Sequence, residues 1–490
     1  MKLNRWFGLS TALCLGVGVL GAQDANEIRE LKQQLQQIQD AFRKSQEEHQ
    51  KQINTLMQKI DALQQKQTAA EEKEKLKQQI EASLAAQPKP GAPAATAAES
   101  KPRSPSQPVT LARAGSAYMN ISFDALMDVG WSTARDPSAQ LQLGDHDPVT
   151  RGFSLRNAEI ALDGAVDPYF KGFANIVFKL DKNNETELEL EETYLQSTSL
   201  PANLQLKAGQ FFANFGRQNS QHPHQWAFVD EPLILSRVFG PDGLRNVGAQ
   251  LSWLAPLPFY TEAFLGVFNG EGGTAFSFRN HGEDDGTGTL RYAGRATLGR
   301  DLRGIGDLLF VPRIASSFDL SDSQTMVVGA SGAFGPNDTG PHSRTEIYGA
   351  DVYWKWKPTT AQAGFPFVSW QTEGLYRRFG AGADPAAPVP LPAENIDDWG
   401  LYSQLSWGFV QRWVTSLRGE FVTGNNAAFD SSDVFRGDRT RVSPALTFYP
   451  SEFSKFRLQY NFDHGDHFGD EHSVWLQMEF LLGAHGAHKF

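Results

Sequence analysis

The chain has 490 residues, a formal net charge of −11 and a mean hydropathy of −0.40. So polar a composition excludes a protein built from membrane-spanning helices, but it allows a transmembrane β-barrel, in which only alternate residues meet lipid. The acidic balance argues against nucleic acid as a partner. The 45 glycines, 34 phenylalanines and 11 tryptophans suit the tight turns and interfacial aromatic residues of such a barrel.

Residues 1–22 have the pattern of a secretory signal peptide. Positively charged residues precede an apolar run from Leu9 to Leu20, and Gly21 and Ala22 offer a small-residue cleavage site. The alternative is a membrane anchor, for which the run is short. The only cysteine, Cys14, lies inside this segment, so the mature chain is predicted to lack disulfides. The bulky residue before Cys14 disfavours lipid attachment there.

Residues 23–87 are predicted to form a helical coiled coil. Apolar residues recur at intervals of three and four from Ile28 to Phe42 and again from Ile53 to Leu63, on an otherwise polar helix. Because a coiled coil needs partner helices, this segment predicts a homo-oligomer. The alternatives are a single solvated helix or disorder. Residues 88–115, rich in Pro, Ala and Ser, are predicted to be a flexible linker.

From residue 116 to residue 490 the apolar pattern changes to a period of two. It is clearest from Met119 to Val129, Tyr348 to Trp356 and Phe456 to Phe462. Such segments, joined alternately by short turns and long loops, are typical of outer-membrane barrels, although a soluble β-sandwich alternates too. The pattern predicts a 16-stranded antiparallel transmembrane β-barrel. Residues 300–322 are interpreted as a long periplasmic connection, although part of this stretch could form an extra strand.

One long loop, residues 215–245, separates two of the predicted strands and is rich in Arg, His, Asp and Pro. Loops longer than roughly 12–15 residues are uncommon in compact domains and are usually functional. We predict that this loop folds into the barrel and narrows it, with the apolar run Pro232 to Leu235 packed against the wall. The predicted constriction contains three residues that attract anions and two that oppose them: Arg217, Arg237 and Arg245, and Asp230 and Glu231.

Several stretches of the chain resemble the phosphate-selective porin O and P family. They are FSLRNAEIALDGAV (Phe153 to Val166), YFKGFANIVFKLD (Tyr169 to Asp181), ETYLQ (Glu192 to Gln196), LKAGQFFANFGRQNS (Leu206 to Ser220), YAGRATLGR (Tyr292 to Arg300) and the terminal Phe490. The resemblance covers most of residues 116–490 and implies a trimeric, sixteen-stranded outer-membrane porin that passes anions guided by lumen arginines. The chain departs from the family where Arg156 and Asn157 replace a pair of arginines, and in its acidic barrel region.

The polar faces of the strands are predicted to line the pore. The basic residues on those faces are Arg156, Lys207, Arg291, Arg295, Lys355, Lys357, Arg418, Arg439, Arg441 and Arg457. Rings of such residues favour anions, although any single arginine is more often a solvated or salt-bridged wall residue. Acidic residues share one face of another strand, at Glu185, Glu187, Glu189 and Glu191. Basic and acidic walls that face each other would give only weak net selectivity.

Two groups of histidines could bind a metal: His222 with His224, and the histidines and acids of residues 464–472. Such residues in outer loops are more often simply solvated, so neither a metal site nor a cofactor is predicted. No enzyme motif is apparent, and a non-enzymatic role is expected.

The sequence therefore predicts a homotrimeric porin in the lipid of a Gram-negative outer membrane, with its coiled coil in the periplasm. It would allow passive diffusion of small hydrophilic solutes, with some preference for anions such as phosphate. The alternative is an envelope tether whose coiled coil binds peptidoglycan or a periplasmic protein.

Overall fold

The computed structural model describes residues 109–483, except 115–116, 142–143, 182, 285, 287, 426 and 429–435. The predicted signal peptide and coiled coil, most of the predicted linker and the terminal Phe490 lie outside the described residues. Among the described helices, none has the length and apolar character needed to cross a membrane.

The described chain is mainly antiparallel β-structure, and sixteen of its strands form a closed barrel. Each strand pairs with its neighbour along the chain, and the last barrel strand pairs with the first. The barrel strands are β2 (Ala117–Ser132), β3 (Gly152–Ala165), β4 (Phe170–Leu180), β5 (Thr186–Ser197), β6 (Leu204–Phe212), β7 (Arg245–Leu254), β8 (Tyr260–Phe268), β12 (Leu309–Ser321), β13 (Gln324–Pro336), β14 (Arg344–Trp356), β15 (Phe367–Ala381), β16 (Glu394–Val410), β17 (Trp413–Gly424), β18 (Arg439–Ser451), β19 (Ser454–Gly465) and β20 (Gly469–Leu482). The predicted fold class is confirmed.

Shorter elements lie outside this ring of strands. They are β1 (Val109–Ala114), β9 (Glu283–Asp284), β10 (Leu290–Tyr292), β11 (Arg295–Ala296), the helices α1 (Pro137–Gln140) and α2 (Leu233–Phe239), and the 3₁₀ helices Pro201–Asn203, Pro223–Gln225, Gly273–Ala275 and Ile305–Asp307. The sequence predicted that residues 109–114 belong to a flexible linker. Instead, these residues form β1, which pairs antiparallel with β2 and extends the sheet. Strands β9 to β11 form a small separate sheet within residues 269–308.

The barrel has the predicted number of strands, but one of them lies elsewhere in the sequence. Residues 300–322, predicted to be a periplasmic connection, contain β12, which pairs with β8 and β13. Pro312 lies within β12 and cannot donate a backbone hydrogen bond. The inward-facing Leu309 and Val311 are apolar and buried, so the polar face expected of a barrel strand is missing there. The outer loop between β8 and β12 is correspondingly longer than predicted.

Side chains alternate between the two faces of the barrel wall, as β19 illustrates. Its Lys455, Arg457 and Gln459 are buried in the interior, whereas Phe456 and Leu458 are exposed on the outside. Large exposed side chains recur around the outer face, including Trp131, Trp253, Trp370, Trp399, Trp407 and Trp413. A polar interior with an apolar, aromatic exterior is the arrangement that a barrel needs in lipid.

Residues 213–244, which we call the inner loop, fold into the barrel. Every residue of α2 within this loop is buried. Leu233, Ile234 and Leu235 belong to one apolar cluster with inward-facing residues of six consecutive strands, Val311, Ala333, Ile347, Leu375, Tyr402 and Val422. The apolar run that begins at Pro232 therefore packs against the wall, as predicted. Burying these side chains gives the loop a preferred position inside the barrel.

Candidate functional site in the barrel interior

One side chain joins the two ends of the inner loop. The Asn219 amide donates hydrogen bonds to the carbonyl oxygens of Ala213 (2.8 Å) and Leu244 (3.0 Å). Its Oδ1 accepts a hydrogen bond from the Leu244 backbone N–H at 2.7 Å. Asn219 thereby satisfies buried backbone groups at both ends and closes the base of the loop.

Beside this base, the loop turns sharply and is bound by the wall residue Glu373 of β15. The backbone N–H groups of Arg217 and Gln218 both donate to Glu373 Oε1 at 2.8 Å. Gly216 has φ +59°, and a Cβ atom at this position would lie 2.3 Å from Glu373 Oε2. The close approach of the loop to this carboxylate therefore requires glycine.

Farther along, basic wall residues bind the backbone of the loop. Arg457 donates from Nη2 to the carbonyl oxygen of Trp226 (2.7 Å) and from Nη1 to that of Phe228 (2.9 Å). Lys455 donates to the carbonyl oxygen of His224 at 2.6 Å. Arg457 faces the interior, as predicted, but much of its donor capacity is directed at the loop rather than at a solute.

Asp230 is the most heavily bonded side chain of the loop. Its carboxylate accepts hydrogen bonds from the Gln459 amide (2.8 Å), the Asn461 amide (2.7 Å) and Arg441 Nη1 (3.1 Å). It also pairs with Arg418, which in addition donates to the Asp230 carbonyl oxygen at 2.9 Å. Because the carboxylate is buried and paired, it holds the loop in place instead of opposing anions at an open constriction.

The other charged residues of the predicted constriction are also buried and bound to protein groups, except Arg217. Arg237 is buried in α2 and donates to the carbonyl oxygen of Gly437 at 2.9 Å. Arg245 is buried and pairs with Glu189 of β5. Glu231 accepts a hydrogen bond from Ser236 Oγ at 2.7 Å. The prediction that Arg237 and Arg245 face passing ions is therefore wrong, since their neighbours cover them; Arg217 is only partly buried.

Several predicted pore-lining arginines are likewise occupied by partners. Arg439 and Arg441 each donate to Asp463 Oδ1, from Nη2 at 2.7 Å and from Nε at 2.9 Å respectively. Arg156 donates through Nε to the Asp145 carbonyl oxygen at 3.0 Å. It occupies a β-bulge between β2 and β3, where both Arg156 and the next residue, Asn157, are buried. These arginines lie on the inner face but are bound to other residues.

Arg291 and Arg295 do not lie on the barrel wall, which corrects the prediction. They belong to the small outer sheet, because β12 takes the place of the strand assumed there. Arg291 Nη1 lies 3.0 Å from Asp384 Oδ2, and Arg295 Nη2 lies 2.6 Å from Glu394 Oε1. The Ala296 N–H also donates to Asp384 at 3.0 Å, and these hydrogen bonds hold the pKa of Asp384 below its ordinary value. The two arginines thus join neighbouring outer loops.

The remaining predicted residues differ in their exposure. Lys207 lies over the Tyr194 ring, 4.3 Å from its centroid, beside a polar cavity of about 220 Å³. Lys357 is exposed just beyond the end of β14. Glu187 and Glu189 lie 3.8 Å and 3.2 Å from the ammonium group of Lys179. Both carboxylates therefore form ion pairs with a lysine of the neighbouring strand.

A second polar cavity, of about 190 Å³, lies between the inner loop and the wall. Its basic residues are Arg217, Lys355 and Arg457, and Arg217 lies over the Tyr353 ring at 3.9 Å from the centroid. The other polar lining residues are Gln221, Gln225, Ser369, Gln371, Gln404, Ser406, Ser416, Thr447 and Tyr449. None of the described residues that line this cavity is Asp or Glu. The cavity therefore presents cationic and neutral hydrogen-bond donors without a lining carboxylate.

On the opposite side, the loop meets an acidic wall. A β-bulge at Glu191 interrupts the alternation of β5, and both Glu191 and Glu192 are buried beside His222. His222 and His224 are buried and their rings stack, with centroids 5.7 Å apart, so the expectation that they are solvated is wrong. Sequence reasoning missed Glu192, because alternation cannot reveal a bulge. It also missed the wall residues Asp124, Glu159 and Asn175, although alternation within β2 and β3 does place the first two on polar faces.

Comparison with known proteins identifies a relative of this chain. An uncharacterized protein of Aquifex aeolicus (strain VF5) is 32% identical over 360 residues, which are 69% of this chain and 70% of that protein. No protein-family model matches the chain, so the resemblance to the phosphate-selective porin O and P family remains a prediction.

Solved outer-membrane proteins show a distant structural similarity. The outer membrane channel DcaP of Acinetobacter baumannii has 12% sequence identity and a TM-score of 0.49, over 75% of this chain and 97% of DcaP. An anion-selective porin from Comamonas acidovorans has 7% identity and a TM-score of 0.47, over 75% of this chain and 100% of that porin.

Proposed function

This chain belongs to the family of the uncharacterized Aquifex aeolicus protein, and from its barrel interior we propose that it is an outer-membrane porin for small hydrophilic solutes. The closed barrel with an apolar outer face supports insertion in a bilayer. Sixteen-stranded barrels are wide enough for an aqueous channel, which a loop folded inside would narrow. Transport through it would be passive diffusion.

We propose further that the channel prefers anions such as phosphate. The observation that carries this proposal is the cavity between the inner loop and the wall, where Arg217, Lys355 and Arg457 converge without a lining carboxylate. A guanidinium group stays charged and can bind phosphate or carboxylate through two donors. Most other interior arginines are bound to carboxylates or backbone carbonyls, whereas Arg217 donates through Nε to the neutral Gln371 side chain at 3.1 Å. Arg217 and Lys355 are therefore the residues best placed to act on a solute.

Planar-bilayer recording of the purified protein in a KCl gradient tests the anion preference. For the wild type, we expect a reversal potential whose sign indicates that chloride is more permeant than potassium. In Arg217→Glu and Lys355→Glu, the reversal potential should shift in the direction of higher potassium permeability. The matched control is Arg303→Glu in the outer loop, where the Arg303 side chain is 72% exposed. Equal reversal potentials for the cavity variants and this control would contradict the proposal. Added phosphate should reduce chloride current in the wild type more than in Arg217→Glu.

We also propose a homotrimer with a periplasmic coiled coil, on the basis of the apolar seam within residues 23–87. Replacing Leu31 and Leu35 with Asp should weaken trimer association, and so reduce the yield of crosslinked trimer, while leaving the barrel folded. Unchanged trimers in this variant would remove the role given to the coiled coil, and monomers alone in the wild type would exclude the trimer. If residues 25–87 mainly tether the envelope, deleting them should preserve conductance but weaken envelope integrity.

A further inference from the structure

The acidic wall and the two loop histidines form a compact group of metal-ligating atoms. Glu159 of β3, Glu191 of β5 and His222 of the inner loop each offer one ligand atom, and these atoms all lie within 4.8 Å of one another. All three side chains are buried. We propose that they bind a divalent transition-metal cation, for which Zn²⁺ is the best match, and that this cation ties the inner loop to the barrel wall.

The distances are close to those that a bound metal requires. Zn²⁺ binds imidazole nitrogen and carboxylate oxygen at about 2.0–2.2 Å, so ligand atoms of a tetrahedral site lie roughly 3.4 Å apart. His222 Nδ1 lies 3.8 Å from Glu159 Oε2 and 2.8 Å from Glu191 Oε2. His224 Nδ1 lies 3.7 Å from the same Glu159 oxygen. The separations of His222 Nδ1 from the two Glu oxygens therefore differ from the tetrahedral value by only about half an ångström.

The hydrogen bonds around His222 match those of a metal ligand. Its Nε2 lies 3.0 Å from Glu192 Oε2, while Nδ1 faces Glu191 and Glu159. A neutral imidazole has one N–H and one lone pair. With the N–H donated to Glu192, the Nδ1 lone pair faces Glu191, Glu159 and the Asn175 amide. Asn175 Nδ2 lies 3.2 Å from Nδ1 and donates to Glu159 Oε2 (3.0 Å) and Glu191 Oε2 (2.7 Å). A cation between the carboxylates would take the place of this N–H₂ group, and rotation of the amide would turn Asn175 Oδ1, which accepts no hydrogen bond from the described residues, toward the cation. A carboxylate that receives the second N–H of a ligating histidine is the usual support at metal sites.

Asp124 provides an independent indication of a cation site. Its carboxylate is 0% exposed and points toward His224, with Oδ2 3.9 Å from Nδ1. Neither carboxylate oxygen accepts a hydrogen bond from any residue that the structure describes. The nearby Lys455 pairs with Glu479, so its charge is shared with another carboxylate. A buried carboxylate without hydrogen bonds is costly unless it is neutralised or coordinates a metal.

The donor set selects the type of metal. Imidazole nitrogen favours Zn²⁺ and other later transition metals over Ca²⁺ and Mg²⁺, which prefer an all-oxygen environment. The loop contributes His222 and the wall contributes the carboxylates, so one cation would connect two parts of the chain that are distant in sequence. The alternative is that protons on the histidines balance the acidic charge.

Metal binding to the folded full-length protein, prepared without a polyhistidine tag, tests the proposal directly. After chelation and dialysis, we expect equilibrium dialysis with Zn²⁺ to show one tightly bound ion per chain, resistant to competition from excess Ca²⁺. His222→Gln should weaken Zn²⁺ binding by more than 100-fold. Glu192→Gln, which removes the negative charge of the carboxylate that supports His222, should weaken it by about 10- to 100-fold.

The matched control is the double variant His464→Gln and His467→Gln, which removes histidines of the outer β19–β20 turn and should leave binding unchanged. Absence of tight Zn²⁺ binding by the wild type would overturn the proposal and assign the charge balance to protons. Binding that is lost in the control but kept in His222→Gln would overturn it as well. Since the wild-type measurement needs no variant and no channel recording, it is independent of variant folding and of the proposed anion preference.

Discussion

Asp230→Asn should release the inner loop from the barrel wall. The substitution removes one negative charge from a carboxylate that is bound by Arg418, Arg441, Gln459 and Asn461, and it places an amide N–H₂ among these donors. Breaking a buried ion pair by removing one partner costs roughly 3–5 kcal/mol. Since about 1.4 kcal/mol corresponds to a tenfold change, the equilibrium constant for docking of the loop should fall by roughly two to four powers of ten.

Single-channel recording should show this release as a larger and noisier conductance, because the loop would no longer hold one position inside the barrel. The barrel itself should stay folded, since its backbone hydrogen bonds are untouched, and gel mobility before and after heating checks this. The control is Asp307→Asn, which removes a carboxylate that pairs with Arg300 at 3.1 Å in the outer loop and should leave conductance unchanged. Wild-type conductance and noise in Asp230→Asn, with a folded barrel, would refute the reasoning.

Two further predictions concern the inner loop and the outer loops. Gly216→Ala should weaken loop docking by about 1–2 kcal/mol and increase current noise, because it adds a Cβ at positive φ against Glu373. Gly272→Ala is its control, since Gly272 has φ +86° but open space around the added Cβ, and equal noise in both variants would contradict the argument. The folded-state pKa of Asp384 is lowered by its hydrogen bonds to Ala296 and Arg291 in the neighbouring outer loop. The stability that these bonds contribute should therefore be fully present above the ordinary Asp pKa of about 3.9, and it should be lost as pH falls through the lower folded-state pKa. Hydrogen exchange of the Ala296 amide, expressed relative to its intrinsic rate at each pH, should accelerate over that range, and Asp384→Asn should accelerate it already at neutral pH; a relative exchange rate that is unchanged in the variant would contradict this.

Local patterns in the sequence were sufficient for the class of fold and for the general position of the inner loop. A period of two describes each strand by itself, and the apolar exterior and polar interior follow from it without knowledge of the partner strands. The length of the loop and its apolar run from Pro232 also carry local information about burial. The period-of-two pattern did not identify β12 as a barrel strand. Its inner face carries the apolar Leu309 and Val311, which pack in the apolar cluster inside the barrel, so apolar and polar residues do not alternate there.

Which charged residues remain available to a solute was decided by the tertiary structure alone. Arg418, Arg441 and Arg457 alternate like other lumen residues, but each is bound to a loop segment about two hundred residues away in the sequence. The bulges at Arg156 and Glu191 shift the side-chain alternation by one residue, and periodicity does not encode them. The charge that a pore presents depends on which ion pairs form when distant segments meet, and residue type and spacing do not specify those pairs.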